Sequence, residues 1–344
     1  MDPEVAQYEA VGKELLRRCL ADETATDLHA WLSATLAHFG GGDDNAALTW
    51  PASFDYYDAL LAKRDAQAAL PLNERRLIDW PWASWNSFID PLEAGMLVSI
   101  TAPDGQGKTI VVECLAEHWA RRRHKVVFVH YELNWTLMLD RRTARHTSIP
   151  VRTLKSGSMS PAQRSMVAEV RPRLLAWDGD ITYLHTPGWT MERTVAELRK
   201  LHAEGACDVA VIDYLEKAQP SKRQLQMYGS NTWEREADNV EQLKVLAEAV
   251  ELPVVMVAQM SKAGKDETAR TMDRNAMSGS ASKSNKANVV ILLRRERMPD
   301  GNYSPTVHVQ IDKNTMGGTG GFDQVMQPEY FRLGDVYDNL EVTP

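Results

Sequence analysis

Five strand-length apolar runs recur along the chain with helix-sized intervals between them, and this alternation constrains the fold more than any other feature. The runs are MLVSIT (96–101), KVVFVHYE (125–132), ITYLH (181–185), DVAVIDYL (208–215) and PVVMVAQ (253–259). A sheet with one wet face alternates polar and apolar residues. Near-continuous apolar strands belong to parallel sheets covered on both faces. The intervals carry apolar residues at helical spacing: Val111, Cys114, Leu115 and Trp119 within 108–122, and Val240, Leu243, Leu246 and Val250 within 236–251. Helices are also predicted over 191–203 and up to about 175, with an interruption at SGSMSP (156–161). The expectation is an α/β fold with a mostly parallel, helix-covered sheet. NVVILLRR (288–295) and TVHVQIDK (306–313), joined by a turn at PDGN (299–302), predict a final pair of strands.

Ahead of residue 76 the pattern changes. Residues 4–38 carry leucines at helical spacing, FGGGDDN (39–45) is a turn or linker, and a further helix is predicted over 53–70, stopped by Pro71. The expected division is a small helical segment, 1–75, and a large domain, 76–344. The segment 77–95 is rich in Trp and Pro; Trp80, Trp82 and Trp85 suit either a packed lead-in to the first strand or a surface that stacks on bases.

Composition narrows the function classes. With 44% hydrophobic and 25% charged residues among 344, the chain is ordinary globular material, and no apolar run approaches the ~20 residues of a membrane span. The N-terminus lacks a signal-peptide pattern, and Cys19, Cys114 and Cys207 are too few and too scattered for a disulfide framework, so the expected location is the cytoplasm. Nine histidines show no metal-ligand spacing. A net charge of −8 excludes a uniformly basic coat, leaving any nucleic-acid site small and focused.

The chemistry concentrates where the first strand meets the first helix, in SITAPDGQGKTIVVEC (99–114). A strand, a glycine loop and a helix form a cradle in which backbone N–H groups wrap phosphates. Ala102, Pro103, Asp104, Gly105, Gln106, Gly107, Lys108 and Thr109 make up the candidate loop. Lys108 would neutralise the β and γ oxygens of ATP, and the Thr109 hydroxyl would reach a Mg²⁺ ion. The strict pattern begins with glycine, and here that position is Ala102. Asp213, ending VAVID, is the expected acid of the Mg²⁺ shell. Glu132, ending the second run, is the candidate to orient the attacking water, and Gln259, ending VVMVAQ, to sense the γ-phosphate.

These parts in this order resemble the RecA-like ATPase core of the DnaB-type ring helicases and phage primase-helicases. The likeness runs from about Trp80 to Leu333 and includes APDGQGKT, VFVHYELN, VIDYLEKAQP, LPVVMVAQM, SGSASKSNKANVVILLRRE and DKNTMGGTG. That family tolerates Ala at the first loop position. The resemblance implies ATP and Mg²⁺ as cofactors, a homo-oligomer (a hexamer by expectation), single-stranded DNA in a central pore, and a loader or primase as further partners. It makes the helix near 53–70 a linker that docks on a neighbouring subunit. Two loops would line the pore. The loop 219–236 offers Lys222, Arg223 and Gln224, and the loop 261–280 offers Lys262, Lys265, Arg270 and Arg274. Ring helicases also complete each ATP site with a lysine and an arginine from the next subunit. Here Lys313 holds the lysine position, while the arginine position holds Thr315, or Asn314 if the alignment slips by one. Arg294 and Arg295 are the nearest substitutes. Two alternatives stay open: a RecA/KaiC-like oligomeric ATPase that serves as a loader, recombination or defence component without unwinding, and a core that binds nucleotide as scaffold.

Overall fold

The computed structural model describes residues 50–70, 77–132, 134–177, 179–259 and 286–336. The helices expected within 4–38 and the candidates Lys262, Lys265, Arg270 and Arg274 lie outside the described residues. The chain divides into two compact units, Met1–Arg75 and Arg76–Pro344.

In the first unit, helix α1 (Trp50–Ala68) begins three residues earlier than the sequence suggested. Trp50, Phe54, Tyr57 and Leu61 are exposed at the i, i+4, i+7, i+11 spacing of one helix face, and the Trp50 and Phe54 rings meet edge-on at 4.9 Å.

The second unit is built on a nine-stranded sheet. After a short helix α2 (Ala83–Asn86) come β1 (Leu97–Ala102), α3 (Lys108–Arg121), β2 (Lys125–His130), α4 (Trp135–Thr147), α5 (Val151–Ser156) and α6 (Pro161–Leu175). Then follow β3 (Asp180–His185), α7 (Met191–Ala203), β4 (Val209–Asp213), a 3₁₀ turn at Leu215–Lys217, α8 (Lys222–Tyr228), α9 (Thr232–Ala249) and β5 (Val254–Gln259). The chain closes with β6 (Val289–Arg294), β7 (Thr306–Asn314), β8 (Gly320–Gln327) and β9 (Arg332–Asp335). The strand order is β3-β2-β4-β5-β1-β6-β7-β8-β9. The first six are parallel, and β7 to β9 form an antiparallel meander on the β6 side.

Both faces of the parallel part are covered, as its apolar strands require. Val98, Ile100, Phe128, Val211 and Val257 pack with Leu115 and Trp119 of α3 on one face. Leu97, Val127, Ile212 and Met256 pack with Leu198 of α7 and Leu243 and Leu246 of α9 on the other.

Two expectations need correction, and one open choice is decided. The last run is not a pair of strands but four, because β8 and β9 continue the sheet beyond β7. The predicted loop 219–236 is mostly helix. Ser221 and Gln224 form a reciprocal capping box that starts α8, and the Asn231 side chain caps α9. Of the two readings of the tryptophans, the packed lead-in holds. Trp80, Trp82 and Trp85 are buried, and each indole N–H donates within the fold: to the Asp90 carbonyl (3.1 Å), the Leu333 carbonyl (3.0 Å) and Gln324 Oε1 (2.8 Å). No helix among the described residues is long and apolar enough to cross a membrane.

Candidate active site

Parallel strands deliver their C-terminal ends to one edge, and the register determines which residues meet there. Ala102 of β1 pairs with Gln259 of β5, and His130 of β2 pairs with Asp213 of β4. Glu132 follows His130 by two residues. In the spatial order β2-β4-β5-β1, the edge therefore presents Glu132, Asp213, Gln259 and the phosphate loop side by side.

The loop leaves β1 through Gly105 and Gly107, at φ of 76° and 93°, a backbone region that side chains with a Cβ avoid. Space is short as well. A Cβ on Gly107 would lie 2.3–2.4 Å from the end of Met326, and one on Gly105 would lie 3.1 Å from the Tyr303 ring. Lys108 opens α3, and its Nζ donates to the carbonyls of Ala102 (2.7 Å) and Pro103 (2.8 Å), which holds the ammonium inside the loop. The Gln106 side chain is spent elsewhere, accepting the backbone N–H of Arg295. Its share in holding a phosphate is thus limited to its backbone.

Asp213 is buried, which pushes its carboxyl up to about 6; a hydrogen bond from Thr109 and the charges of Arg141 and Lys108 oppose the rise, while the charge of Glu132 adds to it. These influences put Thr109, Lys108 and Glu132 around one carboxylate. One of its oxygens, Oδ1, is buried and accepts no hydrogen bond. Glu132 itself is half-exposed, and its Oε1 lies 3.5 Å from Lys217 Nζ. At the end of β5, the Gln259 backbone N–H donates to Glu216 Oε1 (2.9 Å) of the turn after β4.

Lys313 does not join this group. It pairs with Val290, whereas the phosphate loop touches the chain just past Arg294. Four residues of strand, roughly 13 Å, separate those levels. Asn314 is committed to the lead-in segment and its own turn, donating to the carbonyls of Phe88 (2.8 Å) and Gly318 (3.3 Å). Arg295 is also occupied. It is buried and donates to the carbonyls of Ser304 (2.6 Å) and Tyr303 (3.2 Å), so it serves the β6–β7 turn of its own chain. Arg294 ends β6 beside the loop, with its Nη1 buried and making no hydrogen bond.

Of the pore candidates within the described residues, Lys222 is exposed at the start of α8. Arg223 is held by Asp238 and, at 3.3 Å, by Glu192. Gln224 is fully buried and donates to Asp238 and Asn239 at 2.7 Å, a structural role that removes it from the pore set.

Residue-level reading missed Tyr303, Met326 and Arg141. The first two wall the loop from the meander. Arg141 of α4 lies 3.5 Å from Glu113, and its guanidinium lies 4.2 Å over the Phe331 ring. It borders a buried cluster in which Arg145 binds both Glu113 (2.7 Å) and Glu117, and His146 meets Glu117 at 2.8 Å. Burial drives Glu113 up to about 7; Glu117 is equally buried but is held low by the charge of Arg145 and the His146 hydrogen bond. This cluster anchors the phosphate-loop helix α3 to α4. The three arginines within 141–145 (Arg141, Arg142 and Arg145) were its signal in the sequence.

Residues 82–335, which contain every strand of the sheet, match the DnaB-like helicase C-terminal domain family. The chain belongs to this family. The replicative DNA helicase DnaB of Leifsonia xyli subsp. xyli is 22% identical over 251 residues, covering 71% of this chain and 53% of that protein. A probable plasmid replicative DNA helicase of Chlamydia muridarum is 23% identical over 237 residues, covering 69% and 49%. The chain thus spans about half the length of the curated relatives it matches. A solved DnaB-like replicative helicase, described with its interactions with primase, superposes with a TM-score of 0.76 at 14% identity, over 96% of this chain and 76% of that one. The ATPase domain of G40P superposes at 0.64 with 17% identity, over 71% and 86%. Both likenesses show the RecA-like ATPase fold expected of a DnaB-like core.

Proposed function

We propose that this chain is an ATP-driven motor of the DnaB type, a cytoplasmic homo-oligomeric ring, expected as a hexamer, that moves on single-stranded DNA and separates duplex DNA. The observation that carries the reading is the shared sheet edge. In a member of a helicase family, Lys108, Thr109, Asp213, Glu132 and Gln259 stand side by side in the order that ATP hydrolysis needs.

The donor set fits Mg²⁺, because a buried carboxylate oxygen of Asp213 is left without a hydrogen bond beside the Thr109 hydroxyl. When bound, the ion would offset charge on the β and γ oxygens. The loop amides from Asp104 to Thr109 and the Lys108 ammonium would hold the phosphates. Glu132 would orient the water and accept its proton, and the Gln259 amide would report the state of the γ-phosphate. Lys313, about four strand residues along β6 from its own loop, is suited to a neighbour's ATP. Thr315 cannot supply the charge of a trans arginine, which commonly contributes about 10³–10⁵ in rate, so slow basal turnover is expected.

The apolar stripe of Trp50, Phe54, Tyr57 and Leu61 supports α1 as the helix that docks on the next subunit. Lys222 and Arg223, with Lys262, Lys265, Arg270 and Arg274, are the proposed contacts to the DNA backbone. A primase is the partner class suggested by the solved relative, and a loader is the second.

The missing arginine favours one competing reading, a RecA/KaiC-like ATPase that assembles without unwinding. ATPase rate with and without single-stranded DNA, on a sample of measured oligomeric state, tests the motor. Unwinding of a forked duplex separates it from the competitor. A rate indifferent to DNA overturns the proposal.

A further inference from the structure

The turn after β4 touches the proposed water-orienting residue and leads into a proposed DNA contact. Leu215 anchors the turn in the core. Its last residue, Lys217, places Nζ 3.5 Å from Glu132 Oε1 and 5.5 Å from the centre of the Tyr214 ring. Its middle residue, Glu216, holds the backbone N–H of Gln259. Five residues beyond Lys217, α8 begins with Lys222 and Arg223.

A carboxylate bound to an ammonium is a poorer acceptor for the proton of a water, and its orientation is set by the lysine. The Lys217 and Glu132 side chains are 43% and 54% exposed, so the pair is open to competing anions. We infer that Lys217 is a positioning residue that tethers Glu132 in the DNA-free protein, and that a DNA backbone phosphate arriving along 217–223 draws the lysine away and frees the carboxylate. The tether rests on the motor reading and deepens it by giving a route from DNA to hydrolysis. Exposed pairs of this kind are weak, so the tether restrains turnover by about two- to fivefold.

The test is steady-state ATPase of the full chain at saturating ATP, with and without a saturating oligo-dT strand. Lys217→Ala should raise the DNA-free kcat by about two- to fivefold and leave the DNA-stimulated kcat near the parent value, shrinking the ratio between them. Lys217→Arg should restore the parent ratio, and Lys217→Ala combined with Glu132→Gln should be inactive, because the gain passes through Glu132. Added salt should raise the DNA-free rate of the parent, by screening the pair, more than that of Lys217→Ala. A DNA-stimulated parent whose ratio is unmoved by Lys217→Ala, or a DNA-free rate that falls, overturns the tether alone. A parent that ignores the oligonucleotide, or hydrolyses no ATP, overturns the motor reading and the tether with it.

Discussion

At the scale of single residues, the proposed function assigns binding ATP and breaking it to different side chains. Lys108 is buried in the phosphate loop, so in the proposed function its charge would act on the nucleotide both when bound and during reaction. Glu132 stands half-exposed two residues past its strand, where it can meet a water without touching the phosphates' cradle. Lys108→Ala should therefore weaken ATP binding itself. Glu132→Gln should keep parent-like nucleotide affinity and lose nearly all turnover, since an amide cannot take the proton. Nucleotide titration beside single-turnover hydrolysis separates the two effects. Parent-rate turnover by Glu132→Gln would assign the water to another residue. Glu132 was legible as a candidate because it ends an apolar run, and Lys108 because a glycine loop there joins a strand to a helix. Tyr303 and Met326 were not, since they reach the loop from 196 and 219 positions beyond Gly107, and nothing local marks such contacts.

At the scale of elements, the lead-in segment is fastened to the phosphate-loop helix through Asp79. Its carboxylate takes His118 Nε2 at 2.9 Å and Arg122 Nε at 3.0 Å, and its carbonyl accepts the Trp119 indole at 2.6 Å. Burial alone would raise the carboxyl, but the His118 and Arg122 hydrogen bonds outweigh it and bring the group from 3.8 down to about 2. A lowered folded-state value stabilises above the unfolded one. The contribution, about 2 kcal/mol, is thus full above pH 3.8 and lost as pH falls towards about 2. Asp79→Asn should lose that stability at neutral pH and flatten the acid limb of a Tm-against-pH curve between about 4 and 2. An acid limb unchanged by the substitution would show that Asp79 is not the titrating anchor.

The same scale shows what the sequence conceals. Strands β1 to β6 are apolar on both faces and announce themselves. Strand β8, GGFDQVMQ, opens with two glycines and buries a glutamine, and β9 has four residues. Their stability comes from partners: Phe322 of β8 stacks on Phe88 at 5.6 Å, and Gln324 takes the Trp85 indole. Helix α8 was hidden differently. Its Ser-x-x-Gln cap is visible, but its polar composition resembles a loop.

At the scale of the whole molecule, the proposed trans role of Lys313 predicts complementation. Subunits carrying Lys108→Ala and subunits carrying Lys313→Ala should each be nearly inactive alone. Mixed and allowed to reassemble, they should regain part of the activity, because some junctions then join an intact Lys108 to an intact Lys313. Normal hydrolysis by Lys313→Ala alone would remove the lysine from the reaction.

If Lys313 acts in trans as proposed, each protomer carries a donor pole and an acceptor pole. Such contacts are heterologous and add head to tail. A closed ring satisfies every pole, whereas an open chain of any length leaves one acceptor idle and one donor unused. Activity per protomer should therefore climb with assembly length towards a ceiling that only closure reaches, and dilution should silence the enzyme before it unfolds it.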